Sequence, residues 1–325
     1  MFPVFCLAAH TSTIMKDSDQ FCMVKSRFAA GRLKAIVKGL TPDRRALIIK
    51  RGWGVLLDIC DFSTPKGLLE WMISKIDPEL GEFRNSRNNT SIVFNKQMVV
   101  KVLGLPHGTR PVVLLGPNEQ SPYHDFYKMG FEYGKRAPIH VAQELLSQNL
   151  DEETWLRTFF LVVVGTYFYR GPGNILPLEY LGSLGDSKLV CEYDWGEHIF
   201  QHTMSGIQSF QKRLTKSKLE GITNFQGWIQ GCLPWVAVCH PSHVFILFPY
   251  SVKHMPSGVN LYILRQIVYM DHLDFPESTL STHRINYALP RASHVTNDDF
   301  KFVMKHDKSR LTLNAHTYGA RPVSY

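Results

Sequence analysis

The chain has 325 residues, of which 44% are hydrophobic and 20% charged, with a formal net charge of +8 and a pI near 9.1. No uninterrupted apolar segment reaches the roughly 18 residues that a membrane-spanning helix needs, so we expect no membrane partner. Six cysteines without framework spacing indicate reduced thiols rather than disulfides. The absence of a GxxxxGK(S/T) segment argues against a P-loop enzyme.

The positive charge is densest in the first two predicted helices. A basic amphipathic helix is predicted from Lys25 onward, and together with the next helix it carries a candidate interaction face formed by Arg32, Lys34, Lys38, Arg44, Arg45, Lys50 and Arg51. One interpretation is a surface that follows a phosphate backbone, with an affinity that falls as salt rises. The other is the solvated face of two amphipathic helices, because runs of charge often have only this role.

Helix and hairpin signals agree best in the N-terminal part of the chain. Thr41 is a capping residue followed by proline and aspartate, which predicts a helix start. Apolar residues at helical spacing predict a second helix after residues 63–65. A turn-rich stretch inside residues 83–94 predicts a small β-hairpin. Asn95 can cap a further helix, which Gly104 ends.

The second part of the chain is also predicted to be helical. Asp151 can cap a helix that is apolar nearly all round, which marks it as central to this half. Asp194 can cap another helix with apolar residues along one face, and basic residues near its end suit the helix dipole. Four tryptophans are interpreted as core anchors rather than as surfaces for stacking bases: Trp53, Trp71, Trp155 and Trp195.

Several blocks of the sequence resemble one known family. They are GLTPDRRALIIKRGWG and the helix after it, VVKVLGLPHGTRPV, FFLVVVGTYFY, LEYLGSL, EYDWGEHIFQHTMSGIQSFQ, GCLPW and VYMDHLDF. In this order they resemble the plant mobile domain, a transposon-derived region found N-terminal to Ulp1-type (ubiquitin-like) protease domains in plant proteins. The resemblance implies a mainly helical, non-catalytic domain of transposon ancestry.

The predicted organisation follows from these patterns and from the resemblance. In relatives, the block that corresponds to Gly231-Cys232 continues almost directly into the block that corresponds to Tyr269-Met270-Asp271. The extra residues between these blocks are therefore interpreted as an insertion, with a retained intron as one origin. The predicted segments are a loosely ordered N-terminus (1–24), an N-terminal helical and hairpin half (25–110), a connecting segment (111–138), a C-terminal helical half (139–275, with the insertion at 236–266) and a polar tail (276–325). Residues 306–325 of this tail are expected to be loose.

Candidate reaction centres are each opposed by a simpler interpretation. His198 and His202 lie four residues apart on a predicted helix, but the order EHxxxH does not reproduce the metalloprotease motif HExxH. Cys232 and the Cys239-His240-x-x-His243 group lack a familiar zinc spacing. Asp271 and Asp274 share a helix face, where helix-end polarity accounts for them. No nucleophile block of the Ulp1 type is found. We therefore predict no catalytic residue, metal or cofactor.

The sequence predicts a mainly α protein with a small β-hairpin, an α+β fold of two packed helical halves. The predicted function is a non-enzymatic interaction domain of transposon ancestry that contacts nucleic acid, chromatin or a protein partner. One alternative is a truncated accessory domain of a SUMO-protease-like element protein without its catalytic domain. Another is a decayed transposon product without a selected role. We expect a nuclear rather than a cytoplasmic location.

Overall fold

The first half of the fold combines short helices with a small antiparallel sheet. The fold is that of a computed structural model, which describes residues 22–26, 30–61, 66–85, 90–128, 137–169, 174–222, 225–229, 231–232, 234–237, 273, 275–310 and 316–321. The elements of this half are β1 (Cys22–Ser26), α1 (Ala30–Lys38), α2 (Pro42–Lys50), a 3₁₀ turn (Gly54–Leu57), α3 (Lys66–Lys75), β2 (Ile76–Asp77), β3 (Glu82–Asn85), β4 (Thr90–Val93) and α4 (Lys96–Leu103).

The second half is built around two long helices. Its elements are α5 (His124–Lys128), α6 (Ile139–Leu145), α7 (Glu152–Val163) continued by a π-helical turn (Val164–Phe168), a 3₁₀ turn (Leu178–Tyr180), α8 (Leu181–Leu184), α9 (Trp195–Leu219), β5 (Phe225–Ile229) and α10 (Pro234–Ala237). The chain then forms α11 (Glu277–Leu280), α12 (Asn297–Asp307), β6 (Ser309–Arg310) and β7 (His316–Thr317). The predicted mainly helical α+β fold is confirmed.

The predicted helix caps are present, because short polar side chains accept hydrogen bonds from the free backbone amides at the helix N-termini. The side chain of Asn95 accepts from the Met98 amide at 3.1 Å, and that of Asp151 accepts from the Thr154 amide at 3.0 Å. Thr41 and Asp194 cap α2 and α9 in the same way. These four caps fix where the helices begin, as their sequence predicts.

The predicted hairpin is confirmed and gains a third strand. β3 pairs antiparallel with β4, with Phe83 opposite Ile92. The two residues that follow α3 then add β2 to the other side of β3, with Ile76 opposite Phe83. Phe83 and Ile92 are both buried, because alternate residues of a strand point to the same face. Asp77, two residues after α3, therefore belongs to a strand.

One aromatic cluster joins the two halves. The Trp53 ring lies 5.5 Å from Phe160, 6.0 Å from Phe168 and 6.1 Å from Trp195 between ring centroids. Trp53 follows α2, whereas its three partners belong to α7, the π-helical turn and α9, and all four side chains are buried. Trp53, Trp155 and Trp195 are therefore core residues, as predicted, and the halves share a continuous hydrophobic core.

The connecting segment packs on the second half. The Leu115 amide donates to the Glu179 carbonyl at 2.8 Å, and Val113 exchanges two backbone hydrogen bonds with the Ser183 hydroxyl. Farther along, the buried Tyr127 hydroxyl is 2.9 Å from Thr158 in α7. Tyr127 of this segment is therefore part of the core.

The predicted boundaries at the N-terminus are wrong within the part of the chain that the structure describes. Cys22–Ser26 is a strand, so neither the loosely ordered N-terminus to residue 24 nor a helix from Lys25 is correct there. β1 pairs in parallel with β5, with Lys25 opposite Trp228. A strand whose partner lies about two hundred residues away has no local sequence signal. The spacing of the apolar residues alone favoured a helix. The helix begins only at Ala30.

The polar tail predicted for residues 276–325 contains packed elements in its described part. The looseness expected of residues 306–325 is wrong there, because the buried Asp307 side chain accepts from the amides of Gly319 and Arg321. Thr296 and Asp299 form a capping box at the start of α12, and Phe300 and Val303 of that helix are buried. The Cys60 amide and thiol donate to the carbonyls of Ala292 and Ser293, which fastens this segment to the N-terminal half. The polar composition misled because the buried residues, such as Phe300 and Val303, alternate with exposed polar residues.

The predicted insertion lies almost wholly outside the described residues. Of residues 236–266, the structure describes only Val236 and Ala237, which belong to α10. Val236 and the preceding Trp235 are buried. The start of the predicted insertion therefore falls inside a packed helix.

Gly104 offers a test of the packing between the first half and the C-terminal segment. It ends α4 at φ +64°, and an added Cβ would lie 2.6 Å from Val55 Cγ2 and 2.9 Å from Pro290 Cβ. We predict that Gly104→Ala lowers the free energy of unfolding by about 2–4 kcal/mol, because it adds backbone strain and overpacking. Chemical denaturation with two optical probes measures the loss.

Gly221 provides the matched control, since it has φ +72° but no atom within 4 Å of an added Cβ. Gly221→Ala should cost about 1 kcal/mol from backbone conformation alone. Equal losses in the two variants would contradict the close packing of Val55 and Pro290 around Gly104.

Candidate anion-binding surface

Three of the seven predicted cations are engaged in contacts that hold the fold together. The Arg44 guanidinium donates to the Leu150 carbonyl at 2.8 Å, and its central carbon lies 4.8 Å from the centroid of the Trp155 ring. Arg45 donates to the carbonyls of Val37 and Leu40 at the C-terminal end of α1. These arginines are half-buried, and their first role is to fix α2 against its neighbours.

Arg51 is the third cation with a structural partner. It lies at the C-terminal end of α2 and forms a 3.2 Å ion pair with Glu152, in the first turn of α7. The pair neutralises part of the charge that was assigned to the candidate face. Among the described residues, Arg32, Lys34, Lys38 and Lys50 form no ion pair with a carboxylate.

Helical geometry divides the remaining cations of α1 between two stripes. Arg32 and Lys34 are two residues apart, which places them about 200° apart around the helix axis. Lys34 and Lys38 are four residues apart and share one stripe, where both are exposed. The structure therefore separates Arg32 from the Lys34–Lys38 stripe.

Arg32 and Arg44 line one cleft of about 700 Å³. The cleft lies between the turn that joins α1 to α2 and the C-terminal end of α6. Aliphatic and amide side chains complete much of its wall, among them Ile36, Leu40, Gln143 and Gln148. Within the described lining, no side chain is aromatic or acidic. The surroundings of the two arginines thus combine positive charge with apolar and hydrogen-bonding groups.

The position of Arg44 in this cleft is set by the core beneath it. Trp155 is fully buried, and its indole N–H donates to the Leu146 carbonyl at 3.0 Å. The same ring lies against the Arg44 guanidinium, a cation–π contact that is stronger where water is excluded. One tryptophan therefore holds both the arginine of α2 and the chain at the end of α6.

The Lys34–Lys38 stripe has a different electrostatic environment. Asp61 approaches α1 at Gly31, where its carboxylate would lie 2.8 Å from an added Cβ. Gly31 is one turn before Lys34, so this carboxylate reduces the positive potential at one end of the stripe. The charge on Lys34 also acts on Cys60, lowering the pKa of a thiol that burial raises. The stripe is open to solvent, whereas the arginines of the cleft are half-buried.

A protein-family model matches residues 26–235, which is more than half of the chain. The chain belongs to this family, Domain of unknown function (DUF8566). No curated protein and no protein of known structure matches the chain. The matched DUF8566 region contains the cleft, the Lys34–Lys38 stripe and the aromatic cluster around Trp53. Strands and helices after residue 235, including α12, lie outside it.

The predicted histidine pair in the DUF8566 region is packed among aromatic rings. His198 Nε2 is 2.7 Å from the Tyr180 hydroxyl, and the His202 ring meets the Tyr169 ring edge-on at 4.3 Å between centroids. Burial lowers the pKa of His198. Burial, and secondarily repulsion from the protonated form of His198, lowers the pKa of His202 to about 4. Both rings are therefore neutral near pH 7. The interpretation as half-buried histidines accounts for these contacts.

No metal-binding group emerges from the described residues. Among them, no cluster of three or more histidine, cysteine, aspartate or glutamate side chains is placed to hold an ion. Cys232 is buried, and burial raises the pKa of its thiol. Cys239, His240 and His243 lie outside the described residues, as do Asp271 and Asp274. No helix in the described part of the chain is long and apolar enough to span a bilayer.

One acid–histidine pair was missed at the sequence level. His283 Nε2 lies 2.6 Å from Asp299 Oδ1, and the second oxygen of Asp299 accepts from the amide and hydroxyl of Thr296. The capping pattern at the start of α12 was the available signal. Burial is the largest cause of the raised pKa of the Cys60 thiol, and the negative charge on Asp299 raises this pKa further. A raised thiol pKa disfavours the thiolate that nucleophilic catalysis needs.

The buried histidines predict a defined pH dependence of stability. Because the His202 pKa falls to about 4 in the folded state, only the unfolded chain takes up this proton between about pH 6.5 and pH 4. Stability due to this group is thus complete above about pH 6.5 and falls as the pH decreases. Its slope is at most about 1.4 kcal/mol per pH unit.

We predict that His202→Gln flattens the free energy of unfolding between about pH 6.5 and pH 4. Denaturant titrations at a series of pH values measure the curve for both proteins. His140→Gln is the control, because His140 is exposed on α6. A His202→Gln curve parallel to that of the parent protein would contradict the neutral, buried state of His202.

Proposed function

We propose that this chain is a non-enzymatic interaction domain of plant mobile-element ancestry that contacts nucleic acid in the nucleus. The contact surface is the exposed Lys34–Lys38 stripe of α1. The ancestry rests on the ordered sequence blocks that resemble the plant mobile domain. The interaction rests on charge, and above all on an exposed pair of lysines with no carboxylate partner among the described residues.

Lysines four residues apart on an exposed helix suit a phosphate backbone. Their ammonium groups lie about one helical turn apart, so each can approach a different phosphate of the same strand. Such contacts release counterions, which is the main favourable term in non-specific nucleic-acid binding. The net charge of +8 adds long-range attraction to any polyanion. Neither effect needs a reaction centre or a motif that recognises a particular nucleotide sequence.

The seven cations differ in their contacts, and this difference limits the proposed nucleic-acid contact surface to a small area. Arg45 and Arg51 have protein partners, and Arg44 is held against Trp155. Replacing any of these three would disturb packing as well as charge. Lys34 and Lys38 are exposed, so their charges can be reversed with little structural cost. They are the residues on which the proposal is tested.

We predict that Lys34→Glu/Lys38→Glu weakens binding of mixed-sequence DNA by about tenfold or more at about 50 mM salt. The slope of log affinity against log salt should become shallower by about 2, one counterion for each lost phosphate contact. Fluorescence anisotropy of a labelled duplex and of a labelled single strand, titrated over salt, measures both quantities.

The chain offers a control with the same spacing and the same charge change. Lys212 and Lys216 are also four residues apart and exposed, on α9. Lys212→Glu/Lys216→Glu should change affinity by less than about threefold if binding is local rather than a response to net charge. Equal weakening by both double variants would refute the α1 surface. Absence of binding by the parent protein at low salt would refute the nucleic-acid function.

A further inference from the structure

We infer that the cleft between α1, α2 and α6 binds a short peptide segment that carries both acidic and aliphatic side chains, supplied by a partner protein. This site is distinct from the Lys34–Lys38 stripe, because Arg32 lies about 200° away from Lys34 around α1. The inference does not depend on nucleic-acid binding. It rests on the chemical character of the cleft.

The two arginines define the charge of the ligand. Arg32 and Arg44 reach the cleft from different helices, and no acidic side chain is among the described residues that line it. Arg44 is fixed by its hydrogen bond to the Leu150 carbonyl and by the Trp155 ring, so little conformational freedom is lost when it binds. A guanidinium presents paired donors that match a carboxylate. The ligand is therefore an anion.

The remaining lining distinguishes a peptide from a simple ion. Gln143 and Gln148 lie on the α6 side, where a carboxamide can both donate to and accept from a peptide backbone. Ile36, Leu40 and Leu146 provide aliphatic surface for an apolar side chain. The volume of about 700 Å³ is within the range of about 300–1,000 Å³ typical of pockets for larger organic ligands.

The same lining disfavours nucleic acid as the occupant. Unpaired bases are bound mainly by stacking on aromatic side chains, and the described lining contains none. The lysine stripe that could guide a phosphate backbone lies on another side of α1. A peptide with carboxylates next to leucine or isoleucine satisfies the arginines, the carboxamides and the aliphatic groups together.

The experiment uses the full chain and an array of short peptides in which acidic and aliphatic positions vary independently. The strongest binder is labelled with fluorescein and titrated by anisotropy at about 50 mM and about 150 mM salt. We expect binding to require both side-chain types. Replacing the acidic residues by lysine should weaken binding at least about tenfold, and so should replacing the aliphatic residues by serine. A loss of this size is typical when one important interface contact is removed.

Variants of the cleft then locate the site. Arg32→Glu should weaken binding at least about tenfold, and Gln143→Ala about threefold, with thermal stability recorded for each. Lys34→Glu/Lys38→Glu is the matched control on the same helix and should leave peptide affinity within about twofold. Arg32 is half-buried and makes no hydrogen bond or ion pair with other described residues, so we expect Arg32→Glu to fold, which the thermal stability checks.

Three results would overturn the inference. They are the absence of any peptide binder, equal binding by the parent and the folded Arg32→Glu variant, and competition in which a single-stranded oligonucleotide displaces the peptide. The last would assign the cleft to nucleic acid. Failure of the DNA titrations with intact peptide binding would refute only the proposed function, and the reverse result would refute only this inference.

Discussion

The contacts of Trp53 are the constraint on which the rest of the structure depends. This residue follows the short helix α2 and inserts its ring among Phe160, Phe168 and Trp195 of the second half. Helices of nine or ten residues are marginal in isolation, so α1, α2 and α3 need this shared core to persist. Aromatic rings meeting edge-to-face contribute both buried area and preferred geometry, which fixes the angle between the halves.

The cleft is a consequence of the same packing. With Trp53 fixed, α2 lies beside the start of α7, where Arg51 meets Glu152 and Arg44 meets Trp155. Trp155 also binds the last turn of α6 through the Leu146 carbonyl. Helix α6 is thereby held opposite the α1–α2 turn, and the space between them remains open. In the cleft, Arg44 therefore contributes to contacts within the fold, whereas the charge of Arg32 is available to a ligand.

Helical period explains why one charge run has several roles. Residues that are neighbours in the sequence point in different directions on a helix, so seven cations over twenty residues cannot share one face. Three of them bond or pair within the fold, Arg32 enters the cleft, and Lys34, Lys38 and Lys50 face solvent. Electrostatic contributions differ accordingly: salt screens the interactions of the exposed lysines more strongly than those of the half-buried arginines.

The sequence by itself determined the helix starts at Thr41, Asn95, Asp151 and Asp194, the hairpin, and the core positions of Trp53, Trp155 and Trp195, because caps, turns and apolar period are local signals. Only the tertiary structure decided that Cys22–Ser26 is a strand, since its partner β5 is distant in the chain. It also decided that the C-terminal segment docks on Cys60 and that Arg32 and Arg44 share a cleft. Those outcomes depend on which surfaces meet, and no local pattern specifies the partner of a surface.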